Sequence, residues 1–94
     1  IIACNDLMAL GAMNAIQERG LQVGADIAVA GFDDITAAEY AYPPLTTIHQ
    51  PIYEIGQMLV KLLISIISGA TPTETQILIP STLMVRASSG IQRI

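Results

Sequence analysis

The chain has 94 residues, 52% of them hydrophobic and 13% charged, and four basic against eight acidic side chains give a net charge of -4. That length holds one small domain or a piece of a larger one, and the apolar bias excludes intrinsic disorder. The single cysteine, Cys4, and single histidine, His49, exclude an internal disulfide framework and a multi-cysteine or multi-histidine metal site, while the negative balance has the wrong sign for a nucleic-acid surface.

Ile1–Cys4 is a short apolar run that reads as a buried strand, and Cys4 in it reads as a small buried apolar residue. The chain opens on Ile1-Ile2 with no basic or small-residue leader pattern, and we read it as a fragment beginning inside a strand. Asn5 and Asp6 are both good N-cap residues, and Leu7–Arg19, rich in Ala, Leu and Met, predicts a helix ended by Gly20. That helix is apolar on more than one side, which points to burial on two sides or to an interface. Ile27–Phe32 predicts a second buried strand suited to a parallel sheet. Asp33-Asp34 follow, then a short helical stretch to about Tyr40, which Pro43-Pro44 stop.

Leu45–Ile48 predicts a short β-branched strand, and Pro51 suits the first turn of a helix that Gly69 ends. In this helix Ile52, Ile55, Leu59, Leu62, Leu63 and Ile66 form a wide apolar stripe beside a narrow polar one. Its apolar window, Ile55–Ile67, is interrupted by Gln57, Lys61 and Ser65 and is too short for a membrane span of about 20 residues. Gln76–Ile79 and Thr82–Val85 read as strands. The order β-α-β-α-β-α-β-β predicts an α/β fold with a parallel, right-handed βαβ unit at its start.

In such sheets ligands bind outside the carboxyl ends of the strands. Asn5-Asp6 and Asp33-Asp34 both lie at such ends, and if their strands are neighbours the two pairs line one crevice. Asn offers donors and an acceptor and Asp offers acceptors, a set suited to a hydroxyl-rich or amine-bearing small molecule. Helix capping is the competing reading of both pairs, and one member of each pair can cap while the other faces the crevice. A metal or acid/base role for Asp33-Asp34 lacks a third ligand. No phosphate-cradling glycine loop and no nucleophile–base arrangement can be written on this sequence, so neither a cofactor nor an enzyme is expected. His49 reads as a loop residue with a hinge or ligand-facing role as the alternative. Tyr40 and Tyr42 read either as loop packing or as interface anchors.

The run CNDLMALGAMNAIQERGLQVGADIAVAGFDD, followed by PPLTTIHQPIYEIG, resembles the C-terminal part of the regulatory domain of the lactose/galactose-repressor (LacI/GalR) family. The resemblance covers Ile1 to about Gly90. It implies a periplasmic-binding-protein-like fold, with two α/β subdomains joined by three chain crossings and an effector in the cleft. It assigns residues 1–48 to the C-terminal subdomain, 49–81 to a crossing into the N-terminal subdomain, and 82–94 to the return and tail. Asn5 and Asp33 match effector-binding positions, and Asp6 and Asp34 match neighbouring positions with a capping or structural role. Ile52 stands where the family often has an aromatic residue packing on the effector, and isoleucine departs from that pattern. The helix with Leu7 and Leu10, and the loop with Tyr40 and Tyr42, match the dimer-forming surface, and His49-Gln50 fall at a hinge crossing. The implied function is a cytoplasmic, ligand-responsive transcriptional repressor. Its partners are a small-molecule effector (a sugar or nucleobase), a second copy in a dimer or tetramer, and operator DNA contacted through a domain upstream of this sequence. A periplasmic sugar-binding receptor of the same fold is the alternative. With most of the N-terminal subdomain missing, the Ile52/Ile55/Leu59/Leu62/Ile66 face is expected to lie open.

Overall fold

The structure is a computed structural model and describes residues 1–69 and 77–90. The chain divides into two compact units, Ile1–His49 with Thr82–Ile94, and Gln50–Ser81.

In the first unit, helix α1 spans Asp6–Glu18. Asn5 is extended and accepts the Met8 N–H on its side chain, satisfying one of the donors that a helix start leaves orphaned. Arg19 is the last near-helical residue, and Gly20 at φ +75 turns the chain away, the left-handed exit that favours glycine. Helix α2 is a single turn, Thr36–Tyr40. Three extended segments lie side by side in parallel: Ile2 bridges Ala30, Ala30 bridges Thr46, and Asp33 bridges His49. The third continues as β1, Thr47–His49, on which β2, Thr82–Met84, pairs antiparallel with Thr47 opposite Met84 and His49 opposite Thr82. The expected strands at 1–4 and 27–32 are present as isolated bridges rather than continuous ladders. The first segment leaves its neighbour at the Asn5 cap, and the second leaves at Asp33 and Asp34, both at positive φ.

Side chains at Asp6, Ala9, Met13 and Ile16 make the buried face of α1, a helical spacing. They pack with Val29, Ala38 and Leu45 into the core of this unit. Burial of a side chain the size of Met13 or Ile16 contributes about 1.5–3 kcal/mol, so this single face holds α1 in place. Among the described residues the extended segments are covered on one side, whereas the sequence reads them as buried strands. Val29 and Gly31 are buried, while Ala28 and Phe32, one residue out of phase, are exposed. The same alternation corrects Cys4: with Ile2 it lies on the open face and is exposed, while Ala3 turns inward. The chain after β2 is stitched beneath the segments by Ser88. Its hydroxyl accepts the Thr46 N–H at 2.7 Å and donates to the Val29 carbonyl at 2.7 Å.

In the second unit, α3 spans Ile52–Ile67, begins at Pro51 and ends at Ser68, with Gly69 at φ +88. No residue of α3 is fully buried. Ile55, Met58, Leu59 and Leu62 line a groove with Ile77, Leu78 and Ile79. Ile52, Leu59 and Ile66 of the face expected to lie open are exposed, as are Tyr53 and Leu63, whereas Ile55 and Leu62 of that face are half-buried. The strand expected over Gln76–Ile79 is not formed at residues 77–79, and Gln76 lies outside the described residues. A strand needs a paired neighbour, and no described segment offers residues 77–79 one. No helix among the described residues is long and apolar enough to cross a membrane.

Candidate functional site

The carboxyl ends of the first two extended segments are held together by the Asp6 N–H, which donates to the Phe32 carbonyl at 3.1 Å. Asn5 and Asp33, the residues flanking that bond, are both half-buried. The cap fixes the orientation of the Asn5 amide. Its Oδ1 faces the Met8 N–H at 2.9 Å, and its Nδ2 makes no hydrogen bond among the described residues. The Asn5 amide nitrogen is therefore left as a donor. Of the first polar pair, Asn5 and not Asp6 is the cap.

Asp6 is fully buried and structural. The Thr47 hydroxyl donates to its Oδ1 at 2.6 Å and the Ile35 N–H to its Oδ2 at 2.8 Å. The Thr47 hydroxyl oxygen also accepts the Asp34 N–H at 3.2 Å. A chain of hydrogen bonds thus runs from α1 through β1 to the second polar pair. The Asp33 N–H donates to the Ile48 carbonyl at 3.0 Å.

Asp33 and Asp34 have φ values of 121° and 58°. Neither side chain caps α2, whose N-cap is Ile35 without a side-chain bond, so the capping reading of this pair is corrected. The Asp34 carboxylate instead accepts from Arg86 Nη1 at 2.9 Å on Oδ1 and meets His49 Nδ1 at 2.9 Å on Oδ2. Burial alone pushes the Asp34 carboxyl up, but the hydrogen bonds and charges of Arg86 and His49 outweigh it and hold the group below its ordinary 3.8. His49 is the last residue of β1 and is exposed, so it is a strand residue rather than the expected loop residue.

The sign of the resulting pH dependence follows from the lowered value. Above 3.8 the folded and unfolded chains both hold Asp34 ionised and its contribution is constant. As pH falls through and below 3.8, the unfolded chain takes up a proton first, and the stabilisation disappears once the folded carboxyl is protonated. Thermal melts of the full-length protein against pH should therefore show wild type losing its advantage over Asp34→Asn only below 3.8. A difference that stays constant down through the acid range removes this assignment.

The remaining expected residues are placed as follows. Leu7, Tyr40 and Tyr42 are strongly exposed and Leu10 is half-buried against the core, all in the first unit. Gln17 Nε2 donates to the Tyr42 carbonyl at 2.8 Å, tying the end of α1 to the tyrosine loop. His49 ends the first unit and Gln50 begins the second. Ile52 lies in the first turn of α3, exposed, in the second unit. Sequence reasoning missed Arg86, Thr47 and Ser88. For Arg86 there was a signal: an arginine directly after the apolar run Leu83–Val85 in a chain with only four basic residues.

The periplasmic binding protein-like domain family matches residues 1–89. The ribose operon repressor of Escherichia coli K12 is 44% identical over 85 residues, which is 90% of this chain and 26% of that protein. Among solved structures, a lac repressor dimer bound to operator and the anti-inducer ONPF superposes with a TM-score of 0.87 at 42% identity, over 96% of this chain and 27% of that one. A complex of the transcriptional regulator CelR with cellobiose gives 0.86 at 39% identity, over 93% and 27%. The chain therefore spans about a quarter of the length of the relatives it matches.

Proposed function

This chain belongs to the periplasmic binding protein-like domain family and groups with the lactose/galactose-repressor regulators, and on that footing we propose that it supplies part of the effector-binding and dimerisation region of a ligand-responsive transcriptional repressor. The observation that carries the reading is the juxtaposition of Asn5 and Asp33 at the carboxyl ends of adjacent parallel segments, with the Asn5 amide oriented by its cap. A donor on Asn5 and an acceptor on Asp33 suit the hydroxyl groups of a sugar. The relatives are named as regulators and repressors, and two of the names carry ribose and cellobiose.

In this reading residues 1–48 belong to the C-terminal subdomain, 49–81 cross into the N-terminal one, and 82–94 return. His49 and Gln50 mark a hinge crossing, and Ile52, in the first turn of α3, is a further effector-binding candidate. The exposed Leu7, Tyr40 and Tyr42, with Leu10 beside them, form the surface for a second copy. Operator DNA is contacted by a part of the regulator outside this acidic chain, which puts the protein in the cytoplasm. The mechanism is a population shift: effector stabilises one relative orientation of the subdomains, and that orientation sets the spacing of the DNA-binding parts in the dimer.

Asn5→Asp isolates the proposed contact, since aspartate keeps the cap oxygen and removes the amide donor. In the full-length protein, with D-ribose and cellobiose as probes in calorimetry, Asn5→Asp and Asp33→Ala should each weaken sugar binding by about tenfold or more. The melting temperature of the Asn5→Asp protein without sugar should stay close to wild type. Unchanged affinity in both variants removes Asn5 and Asp33 from the site.

A further inference from the structure

We propose that Arg86 is a positioning residue for Asp33: by gripping the Asp34 carboxylate it holds the Asp33–Asp34 turn in the backbone conformation that the effector site requires. The inference rests on the reading of Asp33 as an effector-binding residue, and the test separates the two.

Two successive non-glycine residues at φ 121° and 58° form a backbone that L side chains adopt rarely. Such a conformation persists only where the surroundings over-determine it, and it clusters at functional sites. Here the surroundings can be named. The Asp33 and Asp34 N–H groups are taken by Ile48 and Thr47 of the third segment. The Asp34 side chain adds a further restraint, with one oxygen on Arg86 and one on His49, each at 2.9 Å.

The two partners are not equivalent. The His49 side chain is 51% exposed and the Arg86 side chain 16%. Arg86 is itself built in: its N–H donates to Thr46 Oγ1 at 2.8 Å, its carbonyl accepts the Thr46 hydroxyl at 2.9 Å, and its Nη1 also donates to the Leu45 carbonyl at 3.0 Å. A guanidinium held at both its root and its head acts as a fixed point, and a charge-assisted bond from it is stronger than a neutral one. Arg86 comes from the chain just after β2, far in sequence from the turn it holds. The restraint on Asp33 is therefore delivered by a residue assigned no contact with the effector.

The test uses the full-length protein and hydrogen exchange over Gly31–Ile35, with α1 as the internal reference. Arg86→Ala should speed exchange in Gly31–Ile35 by about tenfold or more while α1 is unchanged. Arg86→Lys should recover part of the protection, since it restores the charge without the planar fork. In an Asp34→Ala background, which removes both carboxylate oxygens, Arg86→Ala should add nothing, because its route to the turn is already cut. Calorimetry with D-ribose and cellobiose should show a parallel loss of affinity in Arg86→Ala. Equal acceleration in α1, or a full effect of Arg86→Ala on top of Asp34→Ala, overturns the proposal and reduces Arg86 to general stability. If Asp33→Ala abolishes sugar binding while Arg86→Ala leaves it unchanged, the proposal falls and the site stands. If Asp33→Ala leaves sugar binding unchanged, the site falls, and with it the functional half of the proposal. Should Arg86→Ala fail to fold, Arg86→Lys and Asp34→Ala carry the same comparison.

Discussion

Asp6→Ala is expected to destabilise the full-length protein by about 3 kcal/mol, read as a shift of the urea midpoint without a change of slope. Asp6 has no exposed surface, and both of its oxygens are occupied, by the Thr47 hydroxyl and the Ile35 N–H. Truncation removes the acceptor and leaves both donors in a space that water does not reach, so each pays its own desolvation penalty. The loss then propagates, because the Thr47 hydroxyl that Asp6 orients also accepts the Asp34 N–H. Asp6 lies in the first turn of α1, where a negative side chain also favours the helix dipole. Asp6→Asn should cost less than alanine yet more than a surface change. Its amide offers one acceptor oxygen, so one of the two donors faces an NH2 group. A cost for Asp6→Ala within about 0.5 kcal/mol, the range of surface substitutions, would show that the buried network does not hold α1 to the segments.

Gly31→Ala is expected to be comparably damaging, at about 3 kcal/mol, although it adds a single methyl group. Gly31 is buried on the second extended segment, against the first turns of α1. A Cβ there would collide with the Asp6 carboxylate and lie 3.2 Å from both the Asp6 Cα and the Ala9 Cβ. Two of these three neighbours belong to the helix backbone or its first side-chain carbon, so no rotamer change relieves them. The helix must shift, and it is held by the Asp6 N–H bond to Phe32 and by the packing of Ala9, Met13 and Ile16. Because Asp6 is a principal obstacle, the two substitutions should not add. The double variant Asp6→Ala/Gly31→Ala is expected to be more stable than the sum of the singles by about 1 kcal/mol or more. Strict additivity in chemical melts would mean that the helix gives way without meeting the carboxylate.

These effects bear on the site as well as on stability. Asp6 adjoins Asn5, bonds Thr47 and lies against Gly31, two residues before Asp33, so the residues that hold the helix also set the distance between the two polar groups. On the proposed reading, a variant that loosens this contact should lose sugar affinity before it unfolds.

The sequence by itself determined what depends on near neighbours. Asn5 at a helix start, glycines at 20 and 69 past two helix ends, and the prolines at 43 and 44 act within one turn of chain, and the helices lie close to where these residues put them. The apolar runs and their β-α-β order likewise placed Asn5 and Asp33 at the ends of two parallel segments. Tertiary structure decided what depends on distant partners. Whether Asn5 or Asp6 caps α1 was open in the sequence, because both can; Thr47, 41 residues away, settles it by drawing Asp6 inward. Whether Asp34 caps α2 was open for the same reason, and Arg86, 52 residues away, takes it instead. Apolar runs told that the segments have apolar faces but not how many of them are covered, and Cys4, Phe32 and Ile2 are exposed because no described element packs on their side. Periodicity and propensity are properties of one stretch of chain, whereas burial and pairing belong to two, and only the fold brings the second stretch within reach.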